Sequence, residues 1–300
     1  MQENKLVFEV NDEQQGLKLR EYLRGVQNLS SRLVRGAALS GRIAVNGKVV
    51  KLNYVLKAND KITFDIVKEE SQNIEPEQIH IDVVYEDSDV IVVNKQPGIV
   101  VHPTKSYPTG TLANGLIYHF RENNENCIVR LVSRLDMDTS GLIIVAKNQY
   151  SHMALARDMN KEEFEKSYLA VIHGNMAEKE GIINLPIYRP EGDSIQRVVD
   201  ARGQESITHF KVIESFKGGD LVKLTLETGR THQIRVHLTH LGHPLYGDIL
   251  YGIEGDEKFI KRQALHAYRL KFPHPRTGKL LELETGIPED MQQLIEKIKN

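Results

Sequence analysis

The stretch Leu131-Val132-Ser133-Arg134-Leu135-Asp136-Met137-Asp138-Thr139-Ser140-Gly141-Leu142-Ile143-Ile144-Val145-Ala146-Lys147 decides how the chain is read. From Leu142 to Ala146 it is an apolar run rich in β-branched residues, too short for a helix and typical of a buried strand. The residues before it are of another kind. Arg134, Asp136, Asp138, Thr139 and Ser140 form a polar loop closed by Gly141, which puts two carboxylates and a guanidinium at the lip of a core strand. A rigid strand can hold such a loop still while leaving it open to a substrate. Taken alone, the loop reads first as an Arg-Asp pair bracing a turn. The rest of the chain turns that reading towards chemistry.

A second polar segment, Leu226-Glu227-Thr228-Gly229-Arg230-Thr231-His232-Gln233-Ile234-Arg235-Val236-His237-Leu238-Thr239-His240-Leu241-Gly242-His243-Pro244, has helical spacing. Ile234, Leu238 and Leu241 fall on one stripe, which predicts a helix starting near Thr231 and stopping at Gly242 before Pro244. Arg235 and His232 share another face. The four histidines raise the question of zinc, and His237 with His240 is a usable helical spacing. No H-E-x-x-H pattern or nearby cysteine accompanies them, so no metal site is expected.

Three hundred residues with 40% hydrophobic content are enough for one large or two ordinary domains with packed cores. No apolar run approaches the ~18 residues of a membrane span, and the N-terminus lacks the basic-then-apolar pattern of a secretion signal. A cytoplasmic protein without membrane contact is expected. The single cysteine, Cys127, excludes an internal disulfide and a multi-cysteine zinc site. The net charge of -2 hides an asymmetry. Between Gly16 and Lys68 eleven basic residues face three acidic ones, so this segment carries +8 and the remainder about -10. Leu17 to Leu23 reads as a short helix, and Ser30 or Ser31 can cap a second one running to Leu39. Arg32 and Arg35 lie on one face of that second helix. Ile43 to Val50, with Asn46-Gly47 at its centre, is a hairpin with a tight I′ turn. Clustered charge on a small helix-hairpin module is the sequence form of a phosphate-backbone footprint, and equally of a solvated basic face.

Residues 69 to 79, polar and acidic around Pro76, read as a linker. From about His80 strands are expected at Ile81–Glu86, Asp89–Asn94, Glu165–Gly174, Ser206–Glu214 and Asp220–Glu227, with more between Leu265 and Leu283. Helices are expected from Thr111 to Phe120, Tyr150 to Met159 and Glu289 to Lys299. Many strands with few crossover helices predict an α+β fold, a mixed, mostly antiparallel sheet with packed helices. The domains are then 1-68, the linker 69-79, and 80-300.

Two resemblances sharpen this. Ser31-Arg32, Gly41-Arg42-Ile43-Ala44-Val45-Asn46-Gly47-Lys48 and Asn59-Asp60-Lys61-Ile62 resemble the ribosomal protein S4-like RNA-binding domain over roughly Gly16 to Ile66, which implies RNA contacts at Arg32, Arg35, Arg42 and Lys48. Most of Ile81 to Pro288 resembles the RluA/RluD family of pseudouridine synthases. Its motifs appear in order as Asn94-Lys95-Gln96-Pro97-Gly98 with Val101-His102-Pro103, Arg134 to Leu142, Lys166-Ser167-Tyr168-Leu169-Ala170, and Gly229 to His237. One position departs: Ser133 stands where the family usually has histidine, which puts RNA-loop contacts in question more than chemistry.

The resemblance implies that Asp136 is the catalytic carboxylate, Arg235 its partner, Tyr168 a platform for the uracil, and Arg134 the residue that fills the gap left by a flipped uridine. Converting uridine to pseudouridine is an isomerisation, so no cofactor is expected. A carboxylate can serve as nucleophile at the anomeric carbon or as base at the neighbouring ribose carbon. RNA is the expected partner, large-subunit (23S) ribosomal RNA first and transfer RNA second, with the enzyme a monomer. The alternatives are a non-catalytic RNA-binding or ribosome-assembly protein on the same fold, and a metal-dependent hydrolase using the histidine cluster.

Overall fold

In the computed structural model, which describes residues 4–66, 72–192 and 195–299, the apolar run is a strand from Ser140 to Ala146, buried along its length. Its pleat sends Ile143 and Val145 into one core and Leu142, Ile144 and Ala146 into another. Both faces of this strand are therefore covered, which is why it reads as a continuous apolar run instead of an alternating one.

The N-terminal residues build a core of their own. Strands β1 (Lys5–Glu9), β2 (Ile43–Val45), β3 (Lys48–Val49) and β4 (Lys61–Asp65) form an antiparallel sheet in the order β1-β4-β2-β3. Helices α1 (Leu19–Glu21) and α2 (Ser31–Leu39) supply Leu19, Leu33, Val34 and Ala37 to the same core. Ser30 caps α2, its Oγ accepting from the Leu33 N–H at 3.2 Å. Asn46 and Gly47 have φ of 50° and 78°, as the I′ turn of the hairpin requires. Two features differ from the sequence reading. α1 stops at Glu21 and continues as a wider-wound turn, Tyr22–Val26, and β1 is an additional edge strand too short to stand out by periodicity.

The larger half is one ten-stranded sheet with helices on it. Its elements begin with β5 (Val83–Glu86), β6 (Val90–Lys95), α3 (Leu112–Glu122), β7 (Arg130–Leu131), β8 (Ser140–Ala146), α4 (Gln149–Asp158), β9 (Glu165–His173) and β10 (Glu180–Asn184). β11 (Ile187–Tyr188) and β12 (Val198–Val199) form a separate ribbon. β13 (Ile207–Ser215), β14 (Gly219–Leu226), α5 (Gln233–His240), β15 (Leu265–Pro273), β16 (Leu280–Glu284) and α6 (Glu289–Ile298) complete it. The sheet runs β10-β13-β14-β9-β15-β8-β6-β5, with β16 on β15 and β7 on β8. Every pairing in it is antiparallel except β8 with β15. There Gly141 lies opposite Ala267 with φ 112°, and a Cβ at Gly141 would stand 2.2 Å from the Ala267 carbonyl oxygen. The glycine that closes the polar loop is what lets the two halves of the sheet join.

Two expectations are corrected. Of the α5 stripe, Ile234 and Leu238 are buried but Leu241 is 40% exposed, because the helix ends at His240. Gln233, Arg235, Val236 and His237 are buried as well, so α5 is enclosed nearly all round and a one-stripe description fails. The linker also differs. Lys68 and residues 69–71 lie outside the described residues, but from Gln72 onward the segment is docked on the larger half. Gln72 exchanges hydrogen bonds with the Val129 backbone, Val129 N–H donating at 2.9 Å, and Ile74 is buried. The Glu77 carboxylate accepts from Gly110 N–H at 3.0 Å. Polar composition cannot distinguish a free linker from one whose polar groups are bonded to a neighbour. The two halves touch through α4, where Tyr150 and Met153 pack on the N-terminal core.

Candidate active site

The polar loop 132–139 is fixed from behind by two buried cations. Lys95 Nζ, at the end of β6, donates to the carbonyls of Gln96, Ile99 and Met137 at 2.7–3.0 Å. Burial pushes its ammonium down to about 8, against the opposing charge of Asp138. Arg262 Nη1 donates to the Asp138 carbonyl at 3.2 Å while its Nε and Nη2 grip Asp290 of α6. Leu135 packs between the core under α3 and the core under α5. With its flanks and backbone held, the loop carries Asp136 to Arg235 of α5.

Arg235 Nη1 donates to Asp136 Oδ2 at 2.9 Å. Its other edge meets Asp248 as a two-bond fork, Nε to Oδ2 at 2.6 Å and Nη2 to Oδ1 at 2.7 Å. Asp248 is fully buried and also accepts from the N–H groups of Leu250 and Tyr251. Burial would lower the Arg235 pKa, but the bonds to Asp248 and then the charges of Asp248 and Asp136 outweigh it, holding the guanidinium above its usual value. The Asp136 side chain keeps 28% exposure, against 6% for Arg235. One carboxylate locks the arginine, and the other is presented to solvent.

Tyr168, on β9, is buried in the core under α5, and burial followed by the charge of Asp136 raises its phenol pKa, so the hydroxyl stays protonated near neutrality. His232, at the N-cap of α5 in the left-handed conformation, puts Nε2 3.9 Å from Asp136 Oδ2 and Nδ1 2.8 Å from the Tyr251 hydroxyl. That hydroxyl also accepts from Arg197 N–H at 2.7 Å. Burial lowers the His232 pKa.

These groups surround a cavity of about 690 Å³ whose lining includes His102, Arg134, Asp136, Tyr168, His232 and Arg235. Arg134 is exposed at its rim and makes no hydrogen bond or ion pair among the described residues. Arg32, Arg35 and Lys48 stand exposed on the N-terminal module, away from the cavity lining. Arg42 differs from them: it is half-buried and donates through Nη1 to the Asp65 carbonyl at 2.9 Å. The histidines of the second segment go to separate partners. His237 is enclosed between Thr208 Oγ1 and the Leu185 carbonyl, and His243 bonds the His173 carbonyl. Among the described residues the groups that approach closely enough to hold an ion are Asp87, Asp89 and His274, and these are taken up by Tyr85, Arg276, Asn148 and Ser151.

A family model described as RNA pseudouridylate synthase matches residues 89–240, which hold Arg134, Asp136, Tyr168 and Arg235. The chain belongs to this family. It is accordingly an RNA pseudouridine synthase, an isomerase. The Uncharacterized RNA pseudouridine synthase YlyB of Bacillus subtilis (strain 168) is 40% identical to it over 300 residues, covering 99% of each chain. The Ribosomal large subunit pseudouridine synthase D of Vibrio parahaemolyticus serotype O3:K6 (strain RIMD 2210633) is 36% identical over 97% of this chain and 93% of its own. Among solved structures, Human RNA Pseudouridylate Synthase Domain Containing 1 is similar with a TM-score of 0.55 and 27% identity, over 76% of this chain and 97% of that one. Asp136, Tyr168 and Arg235, which the sequence reading grouped, line one cavity, but that reading did not single out Asp248. Its only signal is a lone acid in the apolar stretch Leu245-Tyr246-Gly247-Asp248-Ile249-Leu250-Tyr251, a context that rarely buries a carboxylate without a cation.

Proposed function

We propose that this synthase isomerises uridine in large-subunit ribosomal RNA, with Asp136 acting on the ribose of a uridine turned into the cavity. The observation that carries the reading is the Asp248-Arg235-Asp136 chain at the wall of a cavity of about 690 Å³, a size suited to one nucleotide. Arg235, anchored by Asp248, keeps Asp136 oriented and supplies positive charge beside the carboxylate. Asp136 then attacks the anomeric carbon or takes the proton from its neighbour, and the bond from the anomeric carbon to uracil N1 breaks. The uracil turns and carbon 5 bonds to the anomeric carbon, which returns Asp136 to the carboxylate, and the proton lost from carbon 5 is balanced by the one gained at N1. Tyr168 offers its ring to the base while its protonated hydroxyl stays neutral. The exposed Arg134 enters the stack left by the uridine.

The choice of ribosomal RNA rests on relatives that carry the name Ribosomal large subunit pseudouridine synthase D and align over nearly the whole chain. Arg32, Arg35 and Lys48 are exposed and unpaired among the described residues, which supports the N-terminal module as an S4-like RNA-docking domain. Such a substrate goes with a monomer working in the cytoplasm. Mapping pseudouridines in ribosomal and transfer RNA from cells with and without the gene tests the reading. Loss of one or more large-subunit sites is expected, and a loss confined to transfer RNA would move the substrate.

A further inference from the structure

Lys166 is the least explained charge in the catalytic half. It lies on β9 two residues before Tyr168, so the two side chains leave the same face of the sheet. Its side chain is buried to 8% exposure, yet it makes no hydrogen bond or ion pair among the described residues. The Phe164 ring lies 6.0 Å from Nζ, at the outer limit of a cation-π contact. Lys166 lines the catalytic cavity. Its head group lies beside Gly229, where a Cβ would stand 3.8 Å from Nζ in ordinary contact, on the segment that carries Arg230. A buried cation without a counter-charge is costly, and Lys95 shows how the same fold treats a structural lysine, by giving it three carbonyls.

The charges around the cavity show what Lys166 lacks. Asp136 is the one carboxylate among the lining residues, and Arg235 already holds it. Arg134, Lys166 and Arg230 have no acidic partner among the described residues. We infer that Lys166 is the phosphate-binding residue of the catalytic cavity, pairing with a backbone phosphate next to the uridine that enters it and so fixing where the ribose stands relative to Asp136. An ammonium suits this task because it acts as a point charge on a phosphate oxygen and needs no fixed fork. Burial lowers the Lys166 pKa, and a bound phosphate reverses that effect. Lys166 is thus a positioning residue, and this inference rests on the cavity taking a uridine nucleotide.

The test uses the full-length protein, with Lys166→Met and Lys166→Arg, and an RNA hairpin carrying the uridine that the mapping identifies. Versions of the hairpin with one neutral methylphosphonate, 5′ or 3′ of that uridine, remove a single phosphate charge. Single-turnover conversion by Lys166→Met should fall roughly ten- to hundredfold on normal RNA, the size of one lost charge-assisted bond. Lys166→Arg should recover most of it, which a role as proton acceptor would not allow. On one of the methylphosphonate hairpins the parent should drop to the level of Lys166→Met, and the variant should lose nothing more. Equal losses by Lys166→Met on normal and both modified hairpins would make the lysine merely structural and overturn the proposal, as would full activity of Lys166→Met. A separate titration with uridine and uridine 3′,5′-bisphosphate keeps this independent of turnover. The bisphosphate should bind the parent about tenfold more tightly than uridine, and Lys166→Met should lose that preference; no preference in the parent overturns the assignment. A parent that binds the bisphosphate in this way but converts uridine in no RNA would instead sink the substrate reading.

Discussion

The two halves of the molecule handle charge in opposite ways. On the N-terminal module Arg32, Arg35 and Lys48 stand in solvent without partners among the described residues, whereas in the catalytic half Asp248, Arg235, Lys95, Arg262 and Lys166 are buried and, except for Lys166, tightly bonded. Exposed cations attract a polyanion from a distance and are screened by salt. Buried charges act over a few ångströms, are hard to screen, and cost stability when one partner is removed. On the proposed function the contrast separates affinity from chemistry: the module should weaken without touching turnover, and the buried chain should fail without touching docking.

The largest effect should come from Asp136→Asn. The amide keeps the shape but neither attacks the anomeric carbon nor takes a proton from the ribose. Single-turnover conversion should fall below detection while RNA affinity changes by less than about tenfold, or ~1.4 kcal/mol. Conversion at the parental rate would return the loop to a structural brace. Asp248→Asn should come next. It leaves Arg235 buried with half its fork unmet, at a cost of about 3–5 kcal/mol in stability, and lets the guanidinium shift against Asp136, slowing conversion roughly hundredfold. Denaturant midpoints and single-turnover rates on the same preparation check both parts. An unchanged rate would mean that Asp136 keeps its place without the anchor.

Acid should separate the halves as well. His266 is 1% exposed on β15, with Nδ1 2.9 Å from Ser140 Oγ at the start of β8. Burial and then the nearby Arg262 push its pKa down to about 4. Because the folded value lies below the ordinary 6.5, the unfolded chain takes up the proton first as pH falls. The stabilisation is whole above pH 6.5 and drains away towards pH 4, on the order of 3 kcal/mol in all. Unfolding of the parent and of His266→Asn, followed from pH 7 to 4, should show a steep acid loss that the variant largely lacks. Parallel curves would assign the acid sensitivity to other groups.

How legible all this was depended on the range of the interaction. β8, the hairpin with Asn46-Gly47 and the Ser30 cap of α2 are local patterns, set by residues a few positions apart, and they were readable. The meeting of Asp136 with Arg235 spans 99 positions, and only the order of motifs brought the two together. Asp248 belongs to no such motif in the reading, so the fork that anchors Arg235 stayed out of sight. Nor can composition say whether a polar segment is bonded: Gln72 and Glu77 looked like linker because their partners, Val129 and Gly110, lie far along the chain. Arg42 shows the same limit, since its half-buried bond to the Asp65 carbonyl is invisible beside the exposed arginines it resembles in sequence.

That difference within the module yields the smallest and most discriminating prediction. If docking is electrostatic, each of Arg32, Arg35 and Lys48 that contacts a phosphate contributes about 0.7–0.9 to the slope of log affinity against log salt. Replacing all three by alanine should flatten the slope by up to about 2–3 and weaken binding by roughly tenfold at moderate salt, with single-turnover conversion at saturating protein unchanged. Arg42→Lys keeps the charge but loses the planar group that reaches the Asp65 carbonyl. It should leave the slope as it is and lower the stability of the module by about 1 kcal/mol, the worth of one hydrogen bond. Filter binding from 50 to 300 mM salt, with thermal unfolding alongside, measures both. A flattened slope for Arg42→Lys, or an unchanged one for the triple variant, would break the division between a module that holds RNA by exposed charge and a catalytic half that keeps its charges buried.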